Sequence, residues 1–463
     1  MSRWSGRRRP VILYQPRDEG VRMPLGLLAV GSALQDEHVV IVDGRLELAP
    51  EARVVELATE ADCLGVTVRS GQPLRDAVRV SAAARAANPR LRVIWGGAHA
   101  SLLPDECLAS GAVDACVVGA GEEAFAACLT AVRSGHSFEG LAGVAVREWA
   151  PPRPLSPPGP GSTPPARYEL LDLDRYFEVR GGRRLDFCSS RGRQTAGGGT
   201  WWALPPERVG AEVGELAERY RPLTVLFQDR AFFAEPERAE GIAQALLGLR
   251  PRVSWEVGAR AADVLAMGAD GMGLVRESGC ARVHVLVPPG ALRLGRNRAA
   301  ILETGELLHG AGLRGRFVLE VDPPQSGQDT LGAAVSLARA LMKIDARFQS
   351  PLERRRVYPP EEAPEGTVFP TDLEGWAVRE ETPWPDRRAE RRLARRVFYL
   401  GQAQRPPGRR LGQRLVRILA RGRVKVGLFG LDLERAAVET SALVRTGRVR
   451  RGAAEGHAGP PGR

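Results

Sequence analysis

Arg184-Leu-Asp-Phe-Cys188, Ser189-Ser-Arg-Gly-Arg-Gln-Thr-Ala-Gly-Gly-Gly-Thr-Trp-Trp202 and Pro205-Pro-Glu207 follow one another in the middle of the chain. The first run is apolar and strand-like, the second is rich in glycine, and the third is a helix start leading into Val209-Gly-Ala-Glu-Val213. A loop at the carboxyl end of a first strand is where an α/β barrel places its reactive centre. Downstream the same alternation repeats. Strands are expected over Leu185–Ser189, Thr224–Phe227, Val253–Val257, Arg282–Val287 and Arg316–Val321, with a sixth near Pro351–Tyr358. Helical patterns over Val209–Tyr220, Pro236–Leu247, Ala261–Ser278, Asn297–Ala311 and Thr330–Lys343 separate them. Short apolar strands alternating with helices predict a parallel sheet, here a partial (β/α)6 barrel.

Upstream lies a second alternating series. Val11–Tyr14, Val39–Val42, Cys63–Val68, Leu91–Trp95 and Ala115–Val118 read as strands, with helices such as Leu25–Leu34 and Leu74–Asn88 between them. This pattern predicts an α/β, doubly wound parallel sheet whose ligands sit beyond the carboxyl strand ends. Those ends carry Pro16, Asp43-Gly44-Arg45, Ser70-Gly71, Gly96-Gly97-Ala98-His99 and Gly119-Ala120-Gly121-Glu122. Ala150 to Pro165 is too proline-rich for a helix or a central strand and reads as an extended linker. The expected organisation is a first domain over 1–149, a linker over 150–180 and a partial barrel over 181–360. A basic helical region over 361–445 and a disordered Gly/Ala/Pro tail over 446–463 complete it.

Across its 463 residues the chain has 43% hydrophobic and 26% charged residues, ordinary for a globular protein. No apolar run approaches the roughly 20 residues that span a bilayer. The basic start, Arg3 to Arg9, runs into a strand and not a long apolar signal core, so a cytoplasmic location is expected. The formal net charge is +11, and almost all of the positive charge is arginine, the only lysines being Lys343 and Lys425. That bias fits genome composition better than phosphate recognition, and no nucleic-acid module accompanies it. Cys63, Cys107, Cys116, Cys128, Cys188 and Cys280 include no C-x-x-C pair, which argues against a disulfide framework or zinc site.

Met23-Pro-Leu-Gly-Leu-Leu-Ala-Val30, Ile41-Val-Asp-Gly-Arg45, Gly65-Val-Thr-Val-Arg-Ser-Gly71, Gly96-Gly-Ala-His99 and Gly119-Ala-Gly-Glu-Glu123 fall in a recognisable order. Together with the loop after Cys188, they make the chain resemble the cobalamin-binding radical S-adenosylmethionine (SAM) family. The branch it resembles includes anaerobic magnesium-protoporphyrin ester cyclase. The resemblance implies a cobalamin tail near Thr67, Ser70, Gly71, Gly96, Gly97, His99 and Gly119. For His99, a packed loop residue is the alternative. The Asp-x-His-x-x-Gly cobalt-ligand motif is absent, so no histidine is expected to ligate cobalt from below.

In that family the loop after the first barrel strand carries Cys-x-x-x-Cys-x-x-Cys, whose thiolates hold a 4Fe–4S cluster that binds SAM. Here those positions are Arg193, Gly197 and Thr200, and none of them offers the thiolate such a cluster takes. Two further landmarks differ: Val287-Pro-Pro-Gly290 replaces a Val-Glu-Ser-Gly-like turn, and Glu320-Val-Asp-Pro-Pro-Gln325 replaces a Gly-Phe-Pro-Gly-Glu turn. Phe227-Gln-Asp229 with Phe232-Phe233, Trp255 with Arg260-Ala-Ala-Asp263, and Tyr358-Pro359 keep the family's outline. Asp229 reads either as a polar contact in the cavity or as a strand-end carboxylate capping a turn.

The resemblance therefore implies a pseudoenzyme that binds cobalamin or a related corrin or tetrapyrrole. It would serve as a non-catalytic partner or carrier for an active radical SAM or other biosynthetic enzyme. Bound 4Fe–4S cluster and SAM are not expected. An active methyltransferase or cyclase with an atypical cluster site, and a ligand-free interaction protein, are the alternatives. In the last of these, the basic carboxyl-terminal helices would meet an acidic partner or an anionic membrane surface. No catalytic residue and no metal site is assigned.

Overall fold

The computed structural model describes residues 9–147, 155, 159, 163–191, 202–229, 231–292, 295–322, 330–354, 369–378, 387–405, 411–427 and 429. The first series is β1 (Val11–Gln15), α1 (Leu25–Ala33), β2 (Val39–Asp43), α2 (Pro50–Ala58), β3 (Cys63–Thr67) and α3 (Gln72–Ala87). It continues with β4 (Arg92–Gly96), α4 (Ala98–Leu102), α5 (Pro104–Ala109), β5 (Ala115–Val117), α6 (Glu122–Ser134) and β6 (Val144–Ala145). The strands form one sheet in the order β2-β1-β3-β4-β5-β6. All neighbours are parallel except the last pair, where β6 runs antiparallel to β5. β6 adds a strand to the five expected; two residues are too few to show a period.

Alternation along each strand supplies two separate cores. On one face Val11 and Leu13 pack with Leu27, Ile94, Phe125 and Leu129. On the other, Ile12 and Tyr14 pack with Val54, Leu74, Val80 and Trp95. Both faces of the sheet are therefore covered by helices, as the doubly wound reading requires.

The second series begins with a short 3-10 turn (Tyr168–Leu170) and α7 (Leu173–Val179), which lie within the stretch expected to be linker. It continues with β7 (Arg184–Phe187), β8 (Ser190–Arg191), β9 (Trp202–Ala203), α8 (Pro206–Tyr220), β10 (Thr224–Phe227) and α9 (Pro236–Gly248). Next come β11 (Trp255–Ala259), α10 (Ala261–Glu277), β12 (Cys280–Val287), α11 (Pro289–Leu292), α12 (Arg296–Gly310), β13 (Arg314–Val321), α13 (Thr330–Ile344) and β14 (Leu352–Arg354). The last described elements are α14 (Leu373–Val378), α15 (Arg387–Gln404) and α16 (Leu411–Val426). The second sheet takes its six main strands in sequence order, β7-β10-β11-β12-β13-β14. Helix-connected neighbours in that order make a half-barrel.

Several strand ends differ from expectation by one or more residues, and two show the cause. β7 stops at Phe187 because Ser189 gives its backbone N–H to Asp229 (3.0 Å) and leaves the ladder. β11 begins at Trp255, two residues later than read, where pairing to β12 starts. The reading of Ala150–Pro165 as extended, the tail from 446 onward and Tyr358-Pro359 lie largely or wholly outside the described residues.

Packing divides the chain into two compact units. One comprises Met1–Leu286, Leu307–Arg314 and Arg355–Pro383. The other comprises Val287–Glu306, Gly315–Arg354 and Trp384–Arg463. In the second unit Phe317, Leu319 and Val321 of β13 are buried, Phe317 lies against Phe348, and α15 packs along α16. Among the described residues no helix is long and apolar enough to cross a membrane.

Candidate functional site

The strand order of the first sheet reverses between β1 and β3, which places a crevice beyond their carboxyl ends. Asp18 and Arg69, on the loops leaving β1 and β3, form an ion pair there. Asp76 of α3 accepts from the Tyr14 hydroxyl (2.6 Å) and the Arg17 backbone N–H (2.9 Å), fixing the β1 loop. Burial first, then the Asp76 hydrogen bond, raises the Tyr14 hydroxyl well above its ordinary range. Asp43, at the end of β2, is engaged by Arg45 (2.6 Å) and by the Tyr176 hydroxyl. The Asp43-Gly-Arg45 turn is thereby committed to holding the fold.

The expected cofactor contacts separate into two groups. Gly97 and Gly119 are exposed, and Thr67 and Gly96 are half-buried, along the β3–β5 ends. Gly97 has φ +90°, and a Cβ there would lie 2.7 Å from the Thr67 hydroxyl oxygen. This close crossing admits no side chain and leaves the backbone bare. Gly119 has φ +89°, and its Cβ direction is filled by the Leu155 carbonyl oxygen. Leu155 pairs there as an extra strand residue, giving its N–H to Val118 and accepting from Ala120. The requirement for glycine at 119 is thus met by the protein's own backbone.

Ser70, Gly71 and His99 form the second group, and all three are buried. His99 Nδ1 meets the Ser70 hydroxyl at 3.0 Å, and Trp376 of α14 stands edge-on to its ring, with centroids 5.7 Å apart. The Gly71 N–H donates to the Trp376 carbonyl (2.8 Å), and Phe369 stacks on the indole. A helix nearly three hundred residues away in sequence therefore seals this group from solvent. His99 is thus held between Ser70 and Trp376.

At the start of the altered loop, β8 and β9 form a short antiparallel pair, Ser190 opposite Ala203 and Arg191 opposite Trp202. Asp229 accepts from the Ser189 N–H (3.0 Å), the Ser189 hydroxyl (2.7 Å) and the Ser190 hydroxyl (2.6 Å). Arg238 donates to the Ser189 carbonyl and hydroxyl, both at 3.0 Å. Burial raises the Asp229 carboxyl; the serine hydrogen bonds and Arg238 oppose that shift. Asp229, buried and bound to both serines, thus secures the base of the loop. Arg191 pairs with Glu122 at the start of α6, joining the loop base to the first sheet. Arg193, Gly197, Thr200 and Trp201 lie outside the described residues. Arg260 and Asp263, at the end of β11, form a two-pronged pair with each other (2.7 and 3.0 Å). Val287-Pro-Pro-Gly290 leads into α11, and of Glu320–Gln325 only the residues through Asp322 are described.

Asp186 and Glu256 were not singled out in sequence, although a carboxylate inside an apolar strand is itself a signal. Asp186 is fully buried and accepts from the Met23 N–H (2.8 Å), from Arg180 (two bonds of 3.1 Å) and from Gln228 (2.9 Å). Glu256 lies among His284 (2.8 Å), Arg184 (3.1 Å) and Arg282 (3.6 Å). Burial pushes the Glu256 carboxyl up, but the His284 hydrogen bond and the two arginines outweigh it and hold it below its usual range. Arg184, Glu256 and Arg282 lie toward the amino-terminal ends of their strands, the end that serves stability in such barrels.

All six cysteines are described, and all are free. Five are buried; Cys188 is half-buried, its Sγ donating to the Ser190 carbonyl at 3.0 Å and its thiol pushed up to about 12 by burial. Among the described residues no three of His, Cys, Asp or Glu converge to hold a metal. This donor set does not fit a three-thiolate iron–sulfur cluster. The half-buried Gly96 and exposed Gly97 at the end of β4 do fit a ligand that approaches the backbone closely.

Residues 19–129 match the family model described as B12 binding domain. No curated protein matches the chain. The fold is similar to the radical S-adenosylmethionine methyltransferase TsrM from Kitasatospora setae, a structure with cobalamin and a 4Fe–4S cluster bound. That likeness has a TM-score of 0.61 at 18% identity and covers 76% of this chain and 73% of TsrM. The cobalamin-dependent S-adenosylmethionine radical enzyme OxsB, with aqua-cobalamin and S-adenosylmethionine bound, is similar with a TM-score of 0.59 at 14% identity. There the match covers 72% of this chain and 52% of OxsB.

Proposed function

We propose that the protein binds cobalamin, or a related corrin or tetrapyrrole, beyond the carboxyl ends of its first sheet, and that it does so as a pseudoenzyme. Thr67, Gly96, Gly97 and Gly119 would line the ligand, with Ser70, Gly71 and His99 forming the wall behind them. A bound corrin would supply the reactive metal, and the protein would supply its position. No histidine is assigned to the metal of that ligand, His99 being held by Ser70 and Trp376. The protein would then act as partner or carrier for an active radical SAM or other biosynthetic enzyme.

The observation that carries the non-catalytic reading is the dispersal of all six thiols, five of them buried and none in the loop after Cys188. Two measurements test the proposal. After mixing with hydroxocobalamin, corrin absorbance should co-elute with the protein in gel filtration; its loss to the small-molecule fraction overturns ligand binding. After anaerobic reconstitution with iron and sulfide and reduction with dithionite, no cubane signal should appear in electron paramagnetic resonance. A signal that changes on adding SAM overturns the pseudoenzyme reading and restores the active one.

A further inference from the structure

α15 and α16 concentrate the positive charge of the chain. α15 holds six arginines against one glutamate, and α16 holds four arginines and a lysine with no acid. α16 has two apolar faces. Val416, Ala420 and Val424 turn inward, Ala420 and Val424 being fully buried. On the opposite side Leu415, Ile418 and Leu419 are 51%, 63% and 50% exposed, and Val426 is 64% exposed. Their spacing of three, four and seven residues aligns them in one stripe, and Gly422 within it leaves the stripe flat. Exposed Arg414 and Lys425 border it. A surface helix ordinarily turns its polar side outward, so an outward apolar stripe signals a covering partner.

We propose that the outer face of α16 docks on an anionic lipid surface. The argument is charge complementarity joined to apolar geometry. A stripe of leucine and isoleucine edged by cations is what a helix lying in the membrane plane presents: the apolar side chains enter the acyl boundary and the cations meet phosphate headgroups. A nucleic-acid backbone would use the cations but leave the stripe wet. An acidic protein would use both only by supplying a matching groove. Such docking would hold the protein at a membrane without any spanning helix, in keeping with the helices described.

The test is sedimentation of the full chain with vesicles of phosphatidylcholine alone and of phosphatidylcholine mixed with phosphatidylglycerol, at low and high salt. The wild-type protein should pellet with the mixed vesicles, and less so at high salt. Leu415→Ser/Ile418→Ser/Leu419→Ser should lower the partition coefficient about ten-fold while circular dichroism and elution volume stay unchanged. Arg414→Glu/Lys425→Glu should do the same through charge. Equal pelleting of wild type and the serine variant overturns the proposal, as does equal pelleting with neutral vesicles. So does a wild-type dimer in gel filtration that the serine variant converts to monomer, since a second copy would then occupy the stripe. Binding of a DNA duplex that the serine variant retains, with no vesicle pelleting, would assign the charge to nucleic acid.

Discussion

Asp186 interrupts an apolar strand with a carboxylate that touches no solvent, so every bond it makes is compensation for its burial. Replacing it with alanine would leave Arg180 and the Met23 N–H without their acceptor. A loss of about 3–5 kcal/mol is expected in urea unfolding, the cost of stranding one partner of a buried pair. Asp174→Ala, at an exposed site, should change stability by less than about 0.5 kcal/mol. Glu256 makes a pH-dependent contribution. Its folded carboxyl sits below the usual range, so it stabilises the fold fully above the unfolded value of about 4.3. That contribution disappears as pH falls through the lower, folded value. The stability gap between wild type and Glu256→Gln should therefore close as pH falls through the carboxylate range; a gap that widens in acid would refute the assignment. Gly97→Ala combines a positive φ with a contact on Thr67, and should cost about 1–3 kcal/mol of stability.

α14 is only six residues long, yet it closes the rear of the first sheet's strand ends. Trp376 is 1% exposed, and Trp376→Ala should cost about 3–5 kcal/mol in a thermal or urea melt, as other large-to-small aromatic losses do. A milder effect is expected at α7, where the Asp172 side chain accepts the Arg175 N–H at 3.0 Å. Asp172→Ala should cost about 1 kcal/mol. These two elements also mark how far sequence alone reaches. The β1–β5, β7 and β10–β14 strands were legible because branched apolar runs between turn residues carry their own period, and β10 lies where it was read; the two-residue β8 and β9 were not. Strand ends slid where a side chain competed with the ladder, as Asp229 does at Ser189. α14 was not legible, since Leu373-Glu-Gly-Trp-Ala-Val378 has a glycine inside it and gains its place from Gly71 and His99 far back in the chain. At the candidate site the strand-end glycines were plain to see. That Leu155 accounts for Gly119, and Trp376 covers His99, depends on long-range contacts no local pattern records.

At the scale of the whole molecule the thiols give a direct readout. A native chain treated with Ellman's reagent should show at most one slowly reacting cysteine, Cys188, and six after denaturation. Several fast thiols in the native protein would contradict the burial pattern. The ties between the first sheet and later chain carry a further consequence. Met23 is bonded to Asp186, Asp43 to Tyr176, Val118 and Ala120 to Leu155, and Gly71 to Trp376. Each of those four partners lies beyond residue 149. Cutting the gene after that point would yield a fragment with severed polar seams and an uncovered aromatic seat, prone to clump on expression. The first sheet is therefore no portable cassette: recombination could not hand it to another protein without also carrying the chain that stitches it shut.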